Sequence, residues 1–418
     1  MNTQALPRRL LIIAPPGSYR LAPYIKAAKK LGLIPQIAST SQHSVVPSSD
    51  EGIHLDLHRP EQALEIILNS AKKTPFAGIL GSDDLTIELA AKAAKELDLP
   101  HNPASATQFT QRKDLARSFL LQAGANIPWH KKIHINDNIE AIDLPFPVVI
   151  KPLNLSASRG VIRANNNTEL KQAIEKIIPV IQDTYDNEAR EHILIEQYIQ
   201  GVEIALEGLL HNNELTALAV FDKPDPLEGP YFEETYYITP SGLSADILHD
   251  CQQQVLKCCQ SFGLTTGPIH AELRIDENNK PWILEVAART IGGDCSQSLK
   301  PSADYSLEEL VISYAIDEPI KPEPQQHSSG VLMIPVPKAG ILKRVEGISD
   351  AQKVSNITSL TIDIPTGNEV QTLPESSSYL GFIFAEADIP EDVERSLREA
   401  HSMLHFVIQP IWLVTPVN

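Results

Sequence analysis

The chain has 418 residues, a formal net charge of −18 and 42% apolar residues. This length predicts two to four packed units, and the apolar fraction is ordinary for a globular protein. The acidic balance and the lack of any lysine- or arginine-rich run argue against nucleic acid or an anionic membrane as the main partner. A single local site for an anionic ligand is compatible with that charge.

Export and membrane insertion are not expected. No apolar stretch approaches the roughly 20 residues of a membrane span, and Leu10–Ala14 is too short for the core of a signal peptide. The four cysteines, Cys251, Cys258, Cys259 and Cys295, form no Cys-x-x-Cys pair. We therefore expect reduced thiols, no zinc site and a cytoplasmic location.

The first hundred residues alternate strands and helices. Strands are predicted at Leu10–Ala14, Ile34–Ala38, Ile53–Leu55 and Phe76–Leu80, and helices at Leu21–Leu31, Glu61–Asn69 and Leu85–Leu97. This pattern predicts a parallel sheet with helices on both faces. No Gly-x-Gly-x-x-Gly follows the first strand, so a dinucleotide is not indicated. The turn Pro16-Gly17-Ser18 can still present a helix start to a ligand carboxylate.

The rhythm changes near Asn102–Ala106. Helices are then predicted at Thr110–Ala123, Glu169–Gln182 and Ala245–Phe262, and strands at Pro147–Pro152, Ile193–Ile199, Val202–Leu210 and Leu215–Phe221. Pro179 is expected to kink or end its helix. Asp222–Pro230 is predicted as a loop because it is dense in turn residues. The proline-rich Pro319–Ser329 marks another boundary, followed by strands at Val331–Val336 and Tyr379–Ala385 and a helix at Glu391–His405.

The most informative segment is a predicted hairpin between Gly267 and Arg289. Both arms alternate in polarity, and Asn278-Asn279 fits a two-residue turn. That turn pairs Ile275 with Trp282, Leu273 with Leu284 and Glu272 with Glu285. The predicted core face carries Ala271, Leu273, Ile275, Trp282, Leu284 and Val286. The other face carries His270, Glu272, Arg274, Ile283, Glu285 and Ala287.

Two glutamates directly opposite each other destabilise a strand pair. A cation between Glu272 and Glu285 would remove that cost, and paired carboxylates with phosphate oxygens are a usual way to hold Mg²⁺. The alternative is a solvated hairpin whose glutamates are incidental.

Three further features allow phosphate chemistry, each with a plain structural alternative. Lys151 ends a strand, and the hydroxyls and backbone N–H groups of Ser156-Ala-Ser-Arg-Gly160 suit triphosphate oxygens, although a surface loop is the simpler explanation. The extended segment Glu196–Ile199 can pair with an adenine edge or be an ordinary strand. Arg289 can neutralise charge on a phosphorylated carboxylate or pair with a nearby acid. Cys295 is either a nucleophile or a small residue of the pocket wall; no histidine base is identifiable for it, which favours the wall.

Taken in order, these elements resemble the ATP-grasp superfamily from about Asn102 to Leu299. The carrying features are a lysine on a helix, a lysine before a small-residue loop, a Glu-x-Tyr-Ile strand, and two glutamates on a hairpin followed by an arginine: Lys113, Lys151–Gly160, Glu196–Ile199, Glu272, Glu285 and Arg289. The first hundred residues are similar to the parallel sheet domain that precedes the grasp. The tail from Gly330 to about Phe406 resembles the C-terminal domain of the biotin-carboxylase-like branch.

Within the superfamily the chain is most similar to amino-acid ligases that make dipeptides. The residues that carry this likeness are Ser158-Arg-Gly-Val161, His270-Ala-Glu272 and Glu285-Val-Ala-Ala-Arg-Thr-Ile-Gly-Gly293. The implied fold is α/β, with α+β in a two-lobed grasp and a small C-terminal α+β domain. The implied domains are 1–105, an N-terminal α/β domain; 106–190, the small lobe; 191–322, the large lobe with the metal site; and 323–418, the C-terminal domain.

The resemblance also implies roles for individual residues. Contacts to ATP are implied for Lys113, Lys151, Ser156, Ser158, Arg159 and Gly160, for the backbone of Glu196, Tyr198 and Ile199 at the adenine, and for Glu203 at the ribose. Glu272 and Glu285 are implied to ligate Mg²⁺, with Mn²⁺ as an alternative. Arg289 is implied to contact the acyl phosphate or the substrate carboxylate, and His270 to lie beside the substrate. A neighbouring acid would explain His270 equally well.

The implied reaction is ATP-dependent ligation of a small-molecule carboxylate and an amine through an acyl phosphate, with ADP and phosphate as products. Because water would hydrolyse the intermediate, Ser156–Gly160 and Asp222–Pro230 are candidate lid loops. Gly292-Gly293 is expected to leave room for a small or medium amino acid. Ala287 and Gly293 depart from the asparagine and glutamate of other members. A biotin-carboxylase-like subunit, a non-catalytic ATP-binding regulatory protein and a homodimer are left open.

Overall fold

The computed structural model describes residues 8–40, 52–182, 184, 186–302, 304–375 and 378–411. The outer ends of the predicted first and last domains, residues 1–7 and 412–418, lie outside the described residues. None of the helices in the described part of the chain is long and apolar enough to cross a membrane.

The N-terminal unit is built on a parallel four-stranded sheet. Its elements are β1 (Arg9–Ile13), α1 (Leu21–Lys30), β2 (Ile34–Ser39), β3 (Ile53–His54), α2 (Pro60–Lys73), β4 (Phe76–Gly81) and α3 (Asp84–Glu96). The strand order is β3-β2-β1-β4. Leu10 and Ile12 pack in one core cluster, and Leu11 and Ile13 pack in another, so β1 is buried on both faces. The predicted strand–helix alternation is confirmed.

The next segment carries an antiparallel sheet. Its elements are α4 (Ala104–Gln111), α5 (Lys113–Gln122), β5 (His130–His134), β6 (Val148–Pro152), β7 (Ile162–Ala164), α6 (Asn167–Ile181), α7 (Asn187–Glu191) and β8 (His192–Gln197), with a 3₁₀ turn at Ile139–Ala141. The strand order is β5-β8-β6-β7. The aliphatic face of α6 covers this sheet. Pro179 does not end α6, because it lies in the last turn and the helix continues to Ile181.

The single helix predicted at Thr110–Ala123 is wrong, since Arg112 separates two helices. Its backbone is extended, with φ −113° and ψ 102°. The Arg112 guanidinium is held by three carboxylates, at 3.0 Å from Asp114, 2.9 Å from Asp186 and 2.8 Å from Glu188. The break places Lys113 at the first position of α5 instead of in the interior of a longer helix.

A larger sheet unites the remaining parts of the chain. Its neighbourhood contains β9 (Val202–His211), β10 (Glu214–Lys223), β11 (Tyr236–Thr239), α8 (Ala245–Phe262), β12 (Thr266–Ile275), β13 (Pro281–Ala287) and α9 (Leu307–Ala315), with a 3₁₀ turn at Cys295–Ser298. Then follow β14 (Ser328–Ile334), β15 (Gly340–Glu346), α10 (Ile348–Ala351), β16 (Ile357–Ile362), β17 (Glu369–Val370), β18 (Gly381–Ala387), α11 (Pro390–Ser402) and β19 (His405–Gln409). Asp222 and Lys223, predicted as loop, belong to β10.

The eight-stranded order β13-β12-β9-β10-β11-β14-β18-β16 crosses the predicted boundary at residue 322. A separate three-stranded sheet has the order β17-β15-β19. Helix α8, which has its predicted bounds, packs on the large sheet against β10 and β13, with Val255, Cys258 and Phe262 in the shared core. Helix α9 packs on the N-terminal sheet through Leu310 and Val311. The eight-stranded sheet joins strands from both sides of the proposed boundary at residue 322. The division into four domains stays a prediction.

The β12–β13 hairpin pairs Glu272 with Glu285 as predicted, but its register changes next to that pair. Beyond it, Leu273 faces Ile283, and a β-bulge takes up Leu284. The turn spans Asp276–Lys280, and Asn279 adopts a φ of 61°. The predicted pairs of Ile275 with Trp282 and of Leu273 with Leu284 are therefore wrong.

The bulge also exchanges two side chains between the faces of β13. Ile283 is fully buried in the core instead of lying on the polar face. Leu284 leaves the predicted core face and lines a cavity, and its carbonyl accepts a hydrogen bond from Arg117. Trp282 is only partly buried, and its indole N–H donates to Asp276 at 2.9 Å. The predicted faces hold for β12 and fail for this part of β13.

Candidate active site

One cavity of about 620 Å³ lies where the N-terminal sheet, the antiparallel sheet and the large sheet meet. Most of the residues singled out from the sequence line it, namely Lys113, Lys151, Ser156, Ser158, Glu196, Tyr198, Ile199, Glu203, His270, Glu272, Glu285 and Arg289. Arg159 and Gly160 are not among the lining residues. Gly160, with φ 72°, packs against Pro152, where a Cβ would lie 2.9 Å from a ring carbon. Its glycine is therefore explained by backbone conformation and close packing.

Several cation–carboxylate pairs lie along the cavity, and four of them mark its two ends. Lys151 lies 2.7 Å from Glu196, and Lys113 lies 3.3 Å from Glu285. Arg289 lies 2.8 Å from Asp84, and Arg20 lies 2.7 Å from Asp83. We name the part with Lys113 and Lys151 the lysine end and the part with Arg20 and Arg289 the arginine end. All eight residues line the cavity, so its two ends form one continuous polar site.

Glu196 anchors the lysine end from within the core. Its side chain is 2% exposed and binds both Arg117 and Lys151. Burial alone would raise the pKa of Glu196, but the two cations outweigh it and lower the pKa to about 2. The carboxylate is therefore ionised and holds the Lys151 ammonium at the end of β6.

The backbone groups expected to meet adenine already have partners within the chain. The Tyr198 N–H donates to the Pro147 carbonyl at 3.0 Å. The Ile199 carbonyl accepts from Arg274 at 2.8 Å, and a carbonyl oxygen can accept a second bond. Glu203, expected at the ribose, is held by Lys223 at 2.8 Å and Arg274 at 2.9 Å. The nucleotide roles of these residues stay predictions.

Of the two predicted lid loops, Ser156–Gly160 lines the cavity through its first three residues, whereas no residue of Asp222–Pro230 is among the lining residues. Ala157 and Ser158 have φ values of 57° and 53°, and the Lys113 ammonium donates to the Leu155 carbonyl at 2.7 Å, at the start of that loop. In the second loop, the Pro230 carbonyl accepts from the Arg163 N–H at 2.8 Å.

The second loop is thus tied to β7. It is also tied to the Glu196–Ile199 segment and to β12, because the Leu227 carbonyl accepts from the Tyr198 hydroxyl at 3.4 Å and from the Arg274 guanidinium. These bonds tie Asp222–Pro230 to Tyr198 and Arg274, which line the cavity, and the role of the two loops as a lid stays a prediction.

Lys223, which the sequence analysis placed in a loop, lies at the centre of the acidic residues. Its ammonium contacts Glu203 at 2.8 Å, Glu272 at 3.3 Å and Glu234. Although burial opposes it, these carboxylates raise the pKa of Lys223 well above its usual value. The missed signal is simple: Lys223 ends an apolar strand, as Lys151 does.

The same glutamates form a cluster suited to a cation. One carboxylate oxygen from each of Glu203, Glu234 and Glu272 lies within 4.8 Å of the others. Burial and the neighbouring Glu272 charge raise the pKa of Glu234 to about 7, whereas Lys223 and His270 hold that of Glu272 well below its usual value. Glu285 is not a member of this cluster, although it lies opposite Glu272 in the ladder. The predicted pair of metal ligands is therefore adjacent in the sheet but bound by different lysines.

His270 is hydrogen-bonded to a buried carboxylate and also lines the cavity. Its Nδ1 bonds to Glu207, which is 1% exposed, and its Nε2 lies 3.6 Å from Glu272. Burial would lower the pKa of His270, but the Glu207 charge outweighs it and raises the pKa to about 9. The other Glu207 oxygen accepts from the Ile291 N–H at 3.1 Å. Glu207, which the sequence analysis missed, thereby links His270 to the segment that follows Arg289.

Arg289 forms an ion pair with a nearby acid, which is one of the two roles that its position in the sequence suggested. Its Nε donates to both oxygens of Asp84, and its Nη1 donates to the Thr290 carbonyl at 3.1 Å. These bonds do not use Nη2. Asp84 and Glu285 raise the pKa of Arg289 against the effect of burial, so the guanidinium is charged.

The N-terminal sheet supplies a set of cavity residues that the sequence analysis missed: Tyr19, Arg20, Asp83 and Asp84. They follow the carboxyl ends of β1 and β4, which are neighbours in the sheet. Ligands of open parallel sheets bind at such an edge, so the strand pattern was a usable signal. The sequence alone did not show that β1 and β4 would be adjacent.

The space expected beside Gly293 is filled. A Cβ at Gly293 would collide with the Met333 thioether, which reaches the cavity from β14. Cys295 lies behind this glycine, with its Sγ 4.0 Å from Met333 Sδ and 1% exposure. Burial raises the pKa of Cys295 well above its usual value. A buried thiol that does not line the cavity fits a packing role better than a nucleophile.

Comparisons with known proteins agree with this architecture. Three family models match in order: an ATP-grasp N-terminal domain over residues 25–101, an ATP-grasp domain over 144–298, and L-amino acid ligase C-terminal domain 2 over 332–409. The solved structure of L-amino acid ligase from Bacillus licheniformis superposes with a TM-score of 0.84 at 27% identity, and the match covers 97% of this chain and 100% of that one.

Two kinds of named ligase are also similar in sequence. Alanine–anticapsin ligase of Bacillus subtilis is 22% identical over 284 residues, which are 64% of this chain and 60% of that protein. D-alanine–D-alanine ligase of Nitrosomonas europaea is 27% identical over 274 residues, which are 60% of this chain and 81% of that protein. The chain thus spans less than two thirds of the length of the alanine–anticapsin ligase. The chain thus carries, in order, an ATP-grasp N-terminal domain, an ATP-grasp domain and a C-terminal domain of the L-amino acid ligase type, and it has the fold of L-amino acid ligase.

Proposed function

We propose that the protein is an ATP-dependent carboxylate–amine ligase that joins two amino acids, or a small acid and an amino acid, through an acyl phosphate. The observation that carries this proposal is one cavity with cation–carboxylate pairs at both ends, which extends from the Glu196–Ile199 segment to the N-terminal sheet. Such a cavity can hold a nucleotide at one end and two small polar substrates at the other. The similarity to amino-acid ligases supports the same reaction class.

ATP is proposed to bind at the lysine end. Lys113 and Lys151 provide positive charge for the phosphates, and Ser156 and Ser158 provide hydroxyl groups on a loop with left-handed residues. Phosphate oxygens would replace the carboxylate partners of the two lysines. Because both lysines are already held in place, little reorganisation is needed when the phosphates arrive.

A divalent cation fits the acidic residues of the large sheet. Carboxylate oxygens are the ligands that Mg²⁺ and Mn²⁺ prefer, and Glu272 and Glu285 lie opposite each other beside the lysine end. Glu203 and Glu234 extend this donor set, with the Lys223 ammonium now lying among the oxygens. When bound, the ion would neutralise charge on the transferring phosphoryl group.

The chain's own residues then serve the transfer by position and charge. The carboxylate of the first substrate attacks the γ-phosphate, ADP leaves, and an amine displaces phosphate to form an amide. Asp84 fixes Arg289 at Nε, so that Nη2 can meet the charge that develops on the acyl phosphate. Glu207 fixes His270 beside the same space. The predicted lid loops, Ser156–Gly160 and Asp222–Pro230, would limit hydrolysis by water.

The test is a screen of paired amino acids for release of phosphate, with chromatography of the nucleotide product. We expect ADP and phosphate in equal amounts, dependent on both substrates and on Mg²⁺. AMP and pyrophosphate as products would overturn the acyl-phosphate mechanism. Turnover that needs bicarbonate and biotin would favour the carboxylase alternative, which Gly293 and the type of C-terminal domain disfavour. Nucleotide binding without turnover in any pair would favour a regulatory protein.

A further inference from the structure

We infer that Arg20 of the N-terminal sheet binds the free carboxylate of the amino acid whose amine attacks the acyl phosphate. The inference rests on the proposed function, because it assigns a binding residue to the second substrate of that reaction. It concerns the arginine end of the cavity, beyond the residues that the sequence analysis connected with ATP.

The hydrogen bonds of Arg20 leave one edge of its guanidinium available. Nη1 is bound to Asp83 at 2.7 Å, and Nη2 makes only a long bond of 3.3 Å to the Ile291 carbonyl. Nε is buried and has no hydrogen-bond partner among the described residues. Buried N–H donors almost always have an acceptor in folded proteins, so this atom calls for a ligand. The Nε–Nη2 edge has the geometry that a carboxylate binds with both oxygens.

The surroundings of Arg20 fit an incoming carboxylate. Its side chain is 11% exposed and lines the cavity, so a bound anion would be largely shielded from water. The Tyr19 ring lies against the guanidinium, 4.7 Å from its centre. A Cβ at Gly292 would lie 3.6 Å from Arg20 Nη2, so the glycine keeps the approach to that atom open.

The position of Arg20 identifies which carboxylate it binds. The carboxylate that is phosphorylated must lie near the γ-phosphate, and therefore near Lys113, Glu285 and Arg289. Arg289 lies close enough to Glu285 for that charge to raise its pKa, whereas the partners of Arg20 are Asp83 and the Ile291 carbonyl. A carboxylate at Arg20 thus belongs to the molecule whose amine attacks. An amine without a carboxylate would leave the buried Nε without an acceptor, which costs binding energy.

The experiment compares one amino acid with its amide as the amine substrate in the wild-type protein and in Arg20→Gln. The amide lacks a free carboxylate and cannot act as the acyl donor, so it reports only on the amine site. Glutamine can still donate to Asp83, which also accepts from Ser18 at 2.7 Å. We expect Arg20→Gln to raise KM for the amino acid by about 10- to 100-fold. KM for the amide and for ATP should stay the same, so the preference for the free acid disappears.

Arg59→Gln is the matched control. Like Arg20, Arg59 directly precedes a helix of the N-terminal sheet, but its side chain is 71% exposed and does not line the cavity. It should retain the wild-type preference for the amino acid over the amide. Turnover of the amide by Arg20→Gln shows that this variant is folded.

Several outcomes would overturn the inference. They are an equal rise in KM for amino acid and amide, no rise for either, or a rise only for the acyl substrate. If Arg20→Gln is unfolded, Gly292→Ala replaces it, because the added methyl group narrows the approach to Nη2. Gly292→Ala should raise KM for the amino acid more than for the amide, and equal effects would contradict the inference. Wild-type protein without amino-acid-dependent ADP release would instead refute the proposed function, and the inference with it.

Discussion

The two ends of the cavity satisfy their charges differently. At the lysine end, each cation is bound by a carboxylate, and the nearby Lys223 is bound by three. At the arginine end, Arg20 keeps a buried Nε without a partner among the described residues. The cavity is also lined by large apolar and aromatic side chains from the C-terminal part of the chain, namely Met333, Tyr379 and Phe382.

This difference indicates a division of labour. The lysine end carries paired charges that can exchange one anion for another, which suits phosphate groups that enter and leave in every cycle. The arginine end offers a directional donor beside apolar surface, which suits discrimination between small molecules. The predictions below test this contrast, starting with the residue whose loss should cost most.

Glu285→Gln should abolish turnover, with a loss of about a thousandfold or more. It removes a charged ligand from the proposed cation site and weakens the contact to Lys113, now 3.3 Å. Steady-state rates measured over a range of Mg²⁺ concentrations would show the loss, and thermal unfolding would show that the fold is retained. Glu277→Gln is the control, since Glu277 is exposed at the turn of the same hairpin. A well-folded Glu285→Gln protein with wild-type activity would refute the role assigned to this hairpin.

The lysine end could be predicted from the sequence because its residues lie on local motifs. Lys151 ends an apolar strand before a loop of small residues, and the alternation of the hairpin brought Glu272 opposite Glu285. The same reasoning failed at Leu284, because a bulge is one inserted residue and leaves the polarity pattern almost unchanged. It also failed at Arg112, whose three ion pairs stabilise a break that helix propensity does not reveal.

The arginine end could not be assembled in the same way. Asp84 meets Arg289 across 205 positions of the chain, and Met333 meets Gly293 from another strand. Such contacts depend on how separate sheets are arranged, which neither periodicity nor spacing within a segment encodes. The sequence shows that Tyr19 and Asp83 each follow a strand, but it does not show that the two residues line the same cavity.

Arg289→Lys should reduce kcat/KM by roughly 1–3 kcal/mol of transition-state stabilisation. Lysine keeps the charge but cannot bind Asp84 and the Thr290 carbonyl while also presenting a further N–H group to the acyl phosphate. Affinity for an ATP analogue, measured by isothermal titration, should change little because the change is at the arginine end. Arg344→Lys, on an exposed strand position, is the control. Loss of nucleotide binding with normal turnover at saturating ATP would contradict this assignment.

Met333→Ala should change the choice of acyl substrate more than the rate. Met333 fills the space beside Gly293, so its truncation should raise kcat/KM for acids with larger apolar side chains by about 10-fold relative to small ones. Competition between a small and a larger amino acid would measure this ratio. Met333→Leu, which nearly conserves volume, should keep the wild-type ratio. An unchanged ratio in Met333→Ala would show that Met333 does not determine which acyl substrate is chosen.

Cys295→Ser should have the smallest effect and should retain most of the turnover. The thiol is 1% exposed, its pKa is raised well above its usual value by burial, and its contacts are the Gly293 carbonyl and the Met333 thioether. A hydroxyl can donate to the same carbonyl, so we expect a loss of stability of about 1 kcal/mol and little change in rate. Cys258→Ser, on the buried face of α8, should likewise lower stability without changing the rate. A loss of about a thousandfold in Cys295→Ser alone, with a thioester trapped on the wild-type protein, would show covalent catalysis, and the arginine end would then contain a nucleophile in addition to a binding site.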